Sequence, residues 1–444
     1  MAYSSRDGRK PMERASKIAH AQVINDPSVR ALLARCRVPR PPGDATELSL
    51  LEVPEIPAAC TISTVIAVDG GSTEASIREE FPSASVTFFN FGPLLLSLND
   101  LRALDVQEFI FPEDLRKLKK IERFTLAMPT RNVALEGQPG LVASFRRTLH
   151  EFVEQPRASD SPLGDTLRWL LFRGWSDGMP LPWRLPHCPN ACEGPPIDLE
   201  PDTPPQSSCP NCGGPVYTID ALRLHERVDE EQGAGGVTSY LLTTLEQLVM
   251  AHVVRNVLAL KKSLVSELLF VKDGPLAFFG VVAPMRKPML ELCDYLDGLA
   301  GRPLLRIVGV EKSGSFVEHA IALEKKLPNG TVMPLRNDYI YKYVIPGGGT
   351  EEYGFNTYYG RKFIFKSHRG DVYVCTIPIR GDWRDEANVL GQVTEPLSVI
   401  SALRCSMYEN ALVPVALANK LVSLADYPST RILAAFARDK VVGH

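Results

Sequence analysis

Thirty residues in mid-chain, "PHCPNACEGPPIDLEPDTPPQSSCPNCGGP" (186–215), are too rich in Pro, Gly and polar side chains to bury a core of their own. Such a segment needs another source of folding energy, and its four cysteines supply one. Cys188 and Cys192 are spaced C-x3-C, Cys209 and Cys212 are spaced C-x2-C, and 16 residues separate the pairs. Each pair sits in a Pro/Asn/Gly turn whose backbone amides can point at thiolates. Four soft thiolates in two knuckles suit a tetrahedral structural zinc, whose binding energy becomes folding energy. His187 is an alternative to Cys188 that the paired knuckles disfavour. With every position filled by protein, such an ion braces the fold and does not catalyse.

The rest of the chain is ordinary in bulk. Its 444 residues allow two or three domains, or one large domain with insertions. Hydrophobic residues make up 45% and charged residues 23%, as in globular proteins. No apolar run reaches the roughly 18 residues of a membrane span. The first twenty residues lack an apolar signal region, so a cytoplasmic protein is expected. A formal net charge of -3 argues against a passive DNA-coating protein but leaves room for an enzyme with a local basic groove.

Residues 1–60 are polar and proline-punctuated and read as an arm with one or two helices. Strands are expected at 62–69, 83–97, 265–272, 304–310, 339–345, 361–366 and 371–377 from β-branched content and alternation. Helices are expected at 113–127, 238–262, 396–426 and 429–438. This mixture predicts an α/β fold in which helices flank a mixed sheet. The division is a first core segment at 61–180, an inserted zinc ribbon at 181–220, and the rest of the core at 221–444. Basic residues cluster on one face of the expected first helix (Arg116, Lys119, Lys120, Arg123) and on a strand (Arg361, Lys362, Lys366, Arg369). Each cluster is either a solvated face or a set of phosphate contacts.

Two apolar strands run out into Asp-Gly, at Asp69-Gly70 in "VIAVDGGST" and at Asp273-Gly274 in "LLFVKDGPL". Each acid is either the first residue of a tight turn or a carboxylate held at a strand end. If the strands are neighbours, both acids can share a hard divalent ion. Glu246 lies amid Leu242, Val249, Met250 and Val253 in the long helix. It either keeps its carboxylate in water at the stripe's margin or is paired or metal-bound. Glu267 shares strand parity with Asp273 but stands roughly 20 Å away, too far for a common ion. Lys312 follows "LLRIVGV", as a solvated charge or as a partner for a phosphate.

Taken in order, "VDGGST", "VKDGPL", "IVGVEKSG" and "ALVPVALANKLVSLAD" resemble the NurA nuclease family, across roughly 60 to 426. The resemblance implies a ribonuclease H-like core and a Mn2+- or Mg2+-dependent DNA nuclease with 5′-to-3′ exonuclease and single-strand endonuclease activity. It implies a homodimer docked on a hexameric HerA-type ATPase, in DNA end processing or defence against phage. Carried over, it makes Asp69 and Asp273 metal ligands, Glu246 the glutamate between them, and Lys312 the lysine beside the phosphate. Asn419 stands where the family carries a histidine; its amide can bind a hard ion but cannot act as acid or base. The zinc ribbon is not a general family feature and reads as an insertion that meets DNA or the partner ATPase. Two rival readings are a catalytically inactive adaptor binding an ATPase through ribbon and sheet, and a zinc-ribbon nucleic-acid binder without chemistry.

Overall fold

The computed structural model describes residues 17–36, 38, 48–55, 60–78, 83–99, 123–156, 161–176, 178, 180–300, 304–345, 347, 350–404, 412–422 and 429–442. Strands β1 to β4 span Leu51–Glu52, Thr64–Ser76, Ser85–Ser97 and Phe124–Arg131. Short strands β5 to β8 span Trp183–Leu185, Ile197–Leu199, Gln206–Ser208 and Pro215–Tyr217. Strands β9 to β13 span Leu268–Asp273, Arg306–Glu311, Thr331–Pro334, Arg361–Lys366 and Val372–Ile377. Helices α1 to α5 span Lys17–Asn25, Pro27–Arg35, Leu141–Glu154, Leu163–Leu171 and Thr238–Leu260. Helices α6 to α11 span Arg286–Ala300, Ser315–Leu323, Asn337–Tyr343, Glu386–Ser401, Val413–Val422 and Ser429–Val442.

Val65–Val68 and Leu269–Val271 are continuous apolar runs rather than alternating ones, and every residue in both is buried. That pattern marks parallel strands covered on two faces. They lie side by side in a nine-stranded sheet of the described residues, ordered β1-β11-β12-β13-β10-β9-β2-β3-β4. β2, β3 and β4 form an antiparallel meander, while β9 and β10 run parallel to β2. Numbered within this unit, the spatial order is 3-2-1-4-5, which is ribonuclease H-like connectivity. β13, β12, β11 and β1 extend the sheet antiparallel from β10.

Alternate residues of the central strands feed two cores. On one face Ile66, Val68, Phe270 and Ile307 join residues of α3, α4, α5 and α6. On the other, Val65, Ala67, Leu269, Val271 and Val308 pack with α9 and α10. The long α5 is therefore the floor of one layer, and α10 crosses the opposite side of β2, β3 and β9.

The cysteine segment forms two hairpins, β5 with β6 and β7 with β8. It is less self-sufficient than a separate module: Leu185, Ile197, Leu199, Val216 and Tyr217 are buried in the first core. Arg146 of α3 ties it down. Its guanidinium donates two hydrogen bonds to Asp220, at 2.8 and 2.7 Å. It also donates to Asn190 Oδ1 and to the carbonyl of Pro215.

Four expectations are corrected. Residues 124–131 are strand β4, not the end of a helix; residues 113–122 of the expected 113–127 helix lie outside the described residues, with Arg116, Lys119 and Lys120. Residues 339–345 are not a strand: Tyr339, Ile340 and Tyr343 are buried at helical spacing in α8, which the tyrosine alternation disguised. The expected 396–426 helix is two. α9 begins ten residues earlier, where Asp385 accepts a hydrogen bond from the Ala387 amide as N-cap, and Pro396 falls inside it. Finally, β2 does not turn at Asp69 but continues to Ser76, with Asp69, Gly70 and Gly71 opposite Gly92, Phe91 and Asn90.

Arg146→Met leaves the Asp220 carboxylate buried without its partner, which destabilises by about 3–5 kcal/mol. Urea denaturation followed by circular dichroism should show that loss; an unchanged midpoint would remove Arg146 as the anchor of the hairpins.

Candidate active site and thiolate centre

β9 stops at Asp273, where Gly274 takes a positive φ of 83° and its amide donates to the Val310 carbonyl. β2 runs on past that point with β3 as its partner, so the parallel pairing ends at Val68 opposite Lys272. One residue further, Asp69 and Asp273 stand beside each other, on the face of Val65 and Ala67 and of Leu269 and Val271. Asp69 is thus at a strand end only in relation to its neighbour. β10 ends at Glu311, and Lys312 reaches back to Asp273 at 2.8 Å.

Asp69 is 4% exposed. Its Oδ1 accepts a hydrogen bond from the Gly70 amide at 2.8 Å, while Oδ2 is buried with no partner. Burial, then the nearby charge of Asp273, pushes its pKa up to about 6. Glu246 comes from the opposite layer, on α5. It is 6% exposed, so its carboxylate is not in water at a stripe's margin. Burial pushes its pKa up to about 8; Lys272 opposes the rise, and Asp69 and Asp273 add to it. The desolvation penalty outweighs the lysine.

Gly70 lets the two layers meet. A Cβ there would lie 2.5 Å from Leu242 Cδ1, 2.8 Å from Phe91 Cβ and 3.2 Å from Glu246 Oε1. The glycine is present for close approach, not for a turn. Lys272 escaped the sequence reading. It is 3% exposed, 3.6 Å from Glu246 Oε2, and donates to the Asp273 carbonyl at 2.6 Å. Its signal was available: a lysine at a core position of an apolar strand must be paired.

The structure therefore brings Asp69, Glu246, Asp273 and Lys312 into one electrostatic neighbourhood. Three acids face two lysines, and a buried carboxylate oxygen is unsatisfied, but the three carboxylates are not drawn together within reach of one ion as the four thiolates are. Asn419 is exposed on α10, the helix over the face that carries Asp69 and Asp273. The expected basic contacts fare differently. Arg123 is exposed just before β4, and Arg369 lies in the turn after β12. Arg361 pairs with Glu352 and stacks on Trp383. Lys366 donates to the Glu324 carbonyl. Lys362 is 4% exposed, paired with Glu311 and set over the rings of Phe316 and Tyr358, so it is not offered to a backbone phosphate.

The thiolate centre is tighter. Among the described residues, the Sγ atoms of Cys188, Cys192, Cys209 and Cys212 all lie within 4.8 Å of one another. Cys188 and Cys212 are 3.9 Å apart, and Cys192 and Cys209 are 3.7 Å apart. Zn–S bonds of about 2.3 Å at tetrahedral angles put sulfurs about 3.8 Å apart, so the four residues fit zinc. Asn190 donates from its backbone amide to Cys188 Sγ and from its side chain to the Pro215 carbonyl. It is also the residue that Arg146 grips. His187 is exposed and outside the cluster.

Gly70→Val should destabilise by about 1–3 kcal/mol through overpacking and displace Glu246; calorimetric Mn2+ titration should then show loss of binding, and wild-type affinity would contradict it. Native mass spectrometry should find one zinc per chain, absent in Cys209→Ser; a metal-free wild type would refute the centre.

No protein-family model matches the sequence, and no curated protein matches it. Among solved structures the chain is similar to the NurA nuclease from Sulfolobus solfataricus, at 11% identity over 97% of each chain with a TM-score of 0.36. It is also similar to a second NurA structure, at 10% identity over 97% of this chain and 100% of that one, with a TM-score of 0.27. At these values neither likeness assigns a role to any residue here.

Proposed function

We propose that the chain is a metal-dependent DNA nuclease of the NurA type, hydrolysing phosphodiesters at Asp69, Glu246 and Asp273. The observation that carries it is the buried, unpartnered Oδ2 of Asp69 with Asp273 beside it and Glu246 across the Gly70 gap. Burial of this kind is destabilising unless a cation compensates it. Asp69 and Asp273 would hold Mg2+ or Mn2+, with Glu246 closing in from α5 to complete the set; such an ion activates water and stabilises a leaving oxygen when bound.

The protein's own groups do the rest. Lys312 is partly exposed, so it can trade part of its contact with Asp273 for a phosphate oxygen. Lys272 is buried and fixes the Glu246 carboxylate from below. Asn419 can hold an ion or a phosphate through its amide but cannot move a proton. The motif resemblance extends the proposal to a homodimer partnered by a HerA-type ATPase, and to end processing or phage defence as its setting.

One observation favours a second reading. The Lys272 ammonium lies 3.6 Å from Glu246, where a cation is needed, and Asn419 lacks acid–base chemistry. An inactive adaptor would use Lys272 as a built-in counter-ion. Mn2+-dependent cleavage of single-stranded DNA by wild type, reduced at least about a hundredfold in Asp69→Ala, is the expected result. Equal cleavage by both proteins would sink the nuclease assignment; zinc binding without Mn2+ binding or cleavage would establish the adaptor.

A further inference from the structure

A cavity opens between α5 and the segment that leaves β9, lined on α5 by the residue that follows Glu246. Its volume is about 130 Å3, and its walls include Ser239, Tyr240, Thr243, Gln247, Phe278 and Phe279. Gln247 directly follows Glu246, and Phe278 and Phe279 lie a few residues beyond Asp273. At about 1.5 Å of rise per residue, the α5 wall lies within about 11 Å of Glu246 along the helix axis.

The cavity has a built polar end. Gln247 is 1% exposed, and its Nε2 donates to the carbonyls of Thr243 and Ala277, at 3.3 and 3.1 Å. Those two acceptors fix which end of the amide carries the oxygen. Oε1 is buried and has no partner, in a cavity that the same side chain lines. An acceptor left unsatisfied beside an apolar hollow fits a ring that brings an N–H donor. Phe279 is partly exposed and held edge-on by Tyr358, with ring centroids 5.7 Å apart, so it is a pre-positioned stacking surface at the mouth. Gly280 gives Tyr240 its place: a Cβ there would lie 3.2 Å from the tyrosine ring.

We propose that this cavity receives one pyrimidine base of the strand whose backbone crosses Asp69, Glu246 and Asp273; the proposal rests on the nucleic-acid reading above. The volume is near the ~150 Å3 of a cavity that takes benzene, so it suits one six-membered ring and not a fused purine. The ring N–H or exocyclic amine of a pyrimidine donates to Gln247 Oε1, and its face stacks on Phe279. The base is held by its own edge while the phosphate beside it is presented to the acids. The pocket thereby sets which link of the strand lies at the site.

The test is fluorescence anisotropy of the full chain with labelled single strands of equal length, without added divalent ion: oligothymidylate, oligodeoxyadenylate and an abasic strand. Wild type should bind oligothymidylate about tenfold more tightly than the abasic strand, within the range that one stacked base supplies. Phe279→Ala and Gln247→Leu should each bring oligothymidylate to the abasic level and leave abasic binding unchanged. Phe279→Ala alters a partly exposed side chain, so it decides the matter if Gln247→Leu does not fold. Equal wild-type affinity for oligothymidylate and the abasic strand overturns the pocket and leaves the nuclease reading standing. Equal affinity for oligodeoxyadenylate overturns the pyrimidine assignment. Failure to bind any strand overturns pocket and nucleic-acid reading together.

Discussion

Everything in this molecule hangs on one parallel pairing, between Thr64–Val68 of β2 and Leu268–Lys272 of β9. It joins segments about two hundred residues apart in sequence, and it is where the β2-β3-β4 meander meets the rest of the sheet. Loop closure over such a distance is an entropic burden that only continuous burial on both faces offsets. The same pairing has a chemical outcome. A one-residue slip would turn Asp69 or Asp273 toward the opposite layer and separate the acids. Folding register and site assembly are therefore one requirement.

A second constraint follows from bringing carboxylates into a packed interior. Asp69 and Glu246 each hold protons more tightly than their free counterparts, chiefly because burial penalises the charged form. Lys272 relieves part of that penalty for Glu246, and the Gly70 amide, Lys312 and Lys272 relieve part of it for Asp69, whose Oδ2 still has no hydrogen-bond partner. The acid cluster is strained by design of its surroundings: Gly70 admits Glu246 so closely that no side chain separates it from β2. A region that destabilises its own anionic form is one that a cation stabilises.

Much of this was readable from the residues, and the failures are instructive. The cysteine knuckles were legible because C-x3-C and C-x2-C are local spacings with a fixed geometric meaning. β12 and β13 were legible because β-branched and aromatic residues run through both, although they are buried on two faces rather than alternating. "YIYKYVI" misled because aromatic alternation and helical spacing coincide over five residues, and tertiary packing chose the helix. Asp69-Gly70 looked like a turn because the sequence cannot show that a helix from residues 238–260 needs the missing Cβ. Lys272 was overlooked beside the more conspicuous Asp273, although its burial makes it the closer neighbour of Glu246. Charge alone leaves Lys362 as either a solvated residue or a phosphate contact, and only its partners Glu311, Phe316 and Tyr358 reveal an interior residue.

The grip of Arg146 on Asn190, Pro215 and Asp220 has a practical corollary for anyone who assays this protein. The thiolate hairpins share a core with α3 and the layer beneath the acids, so removing zinc would loosen the floor on which Glu246 stands. For the nuclease proposed above, a strong chelator would then abolish activity by two independent routes. Inhibition by EDTA alone is accordingly an ambiguous readout for this chain, and restoration must be tried ion by ion. Recovery by Mn2+ after gentle chelation and recovery by Zn2+ after harsh chelation would report on different metals.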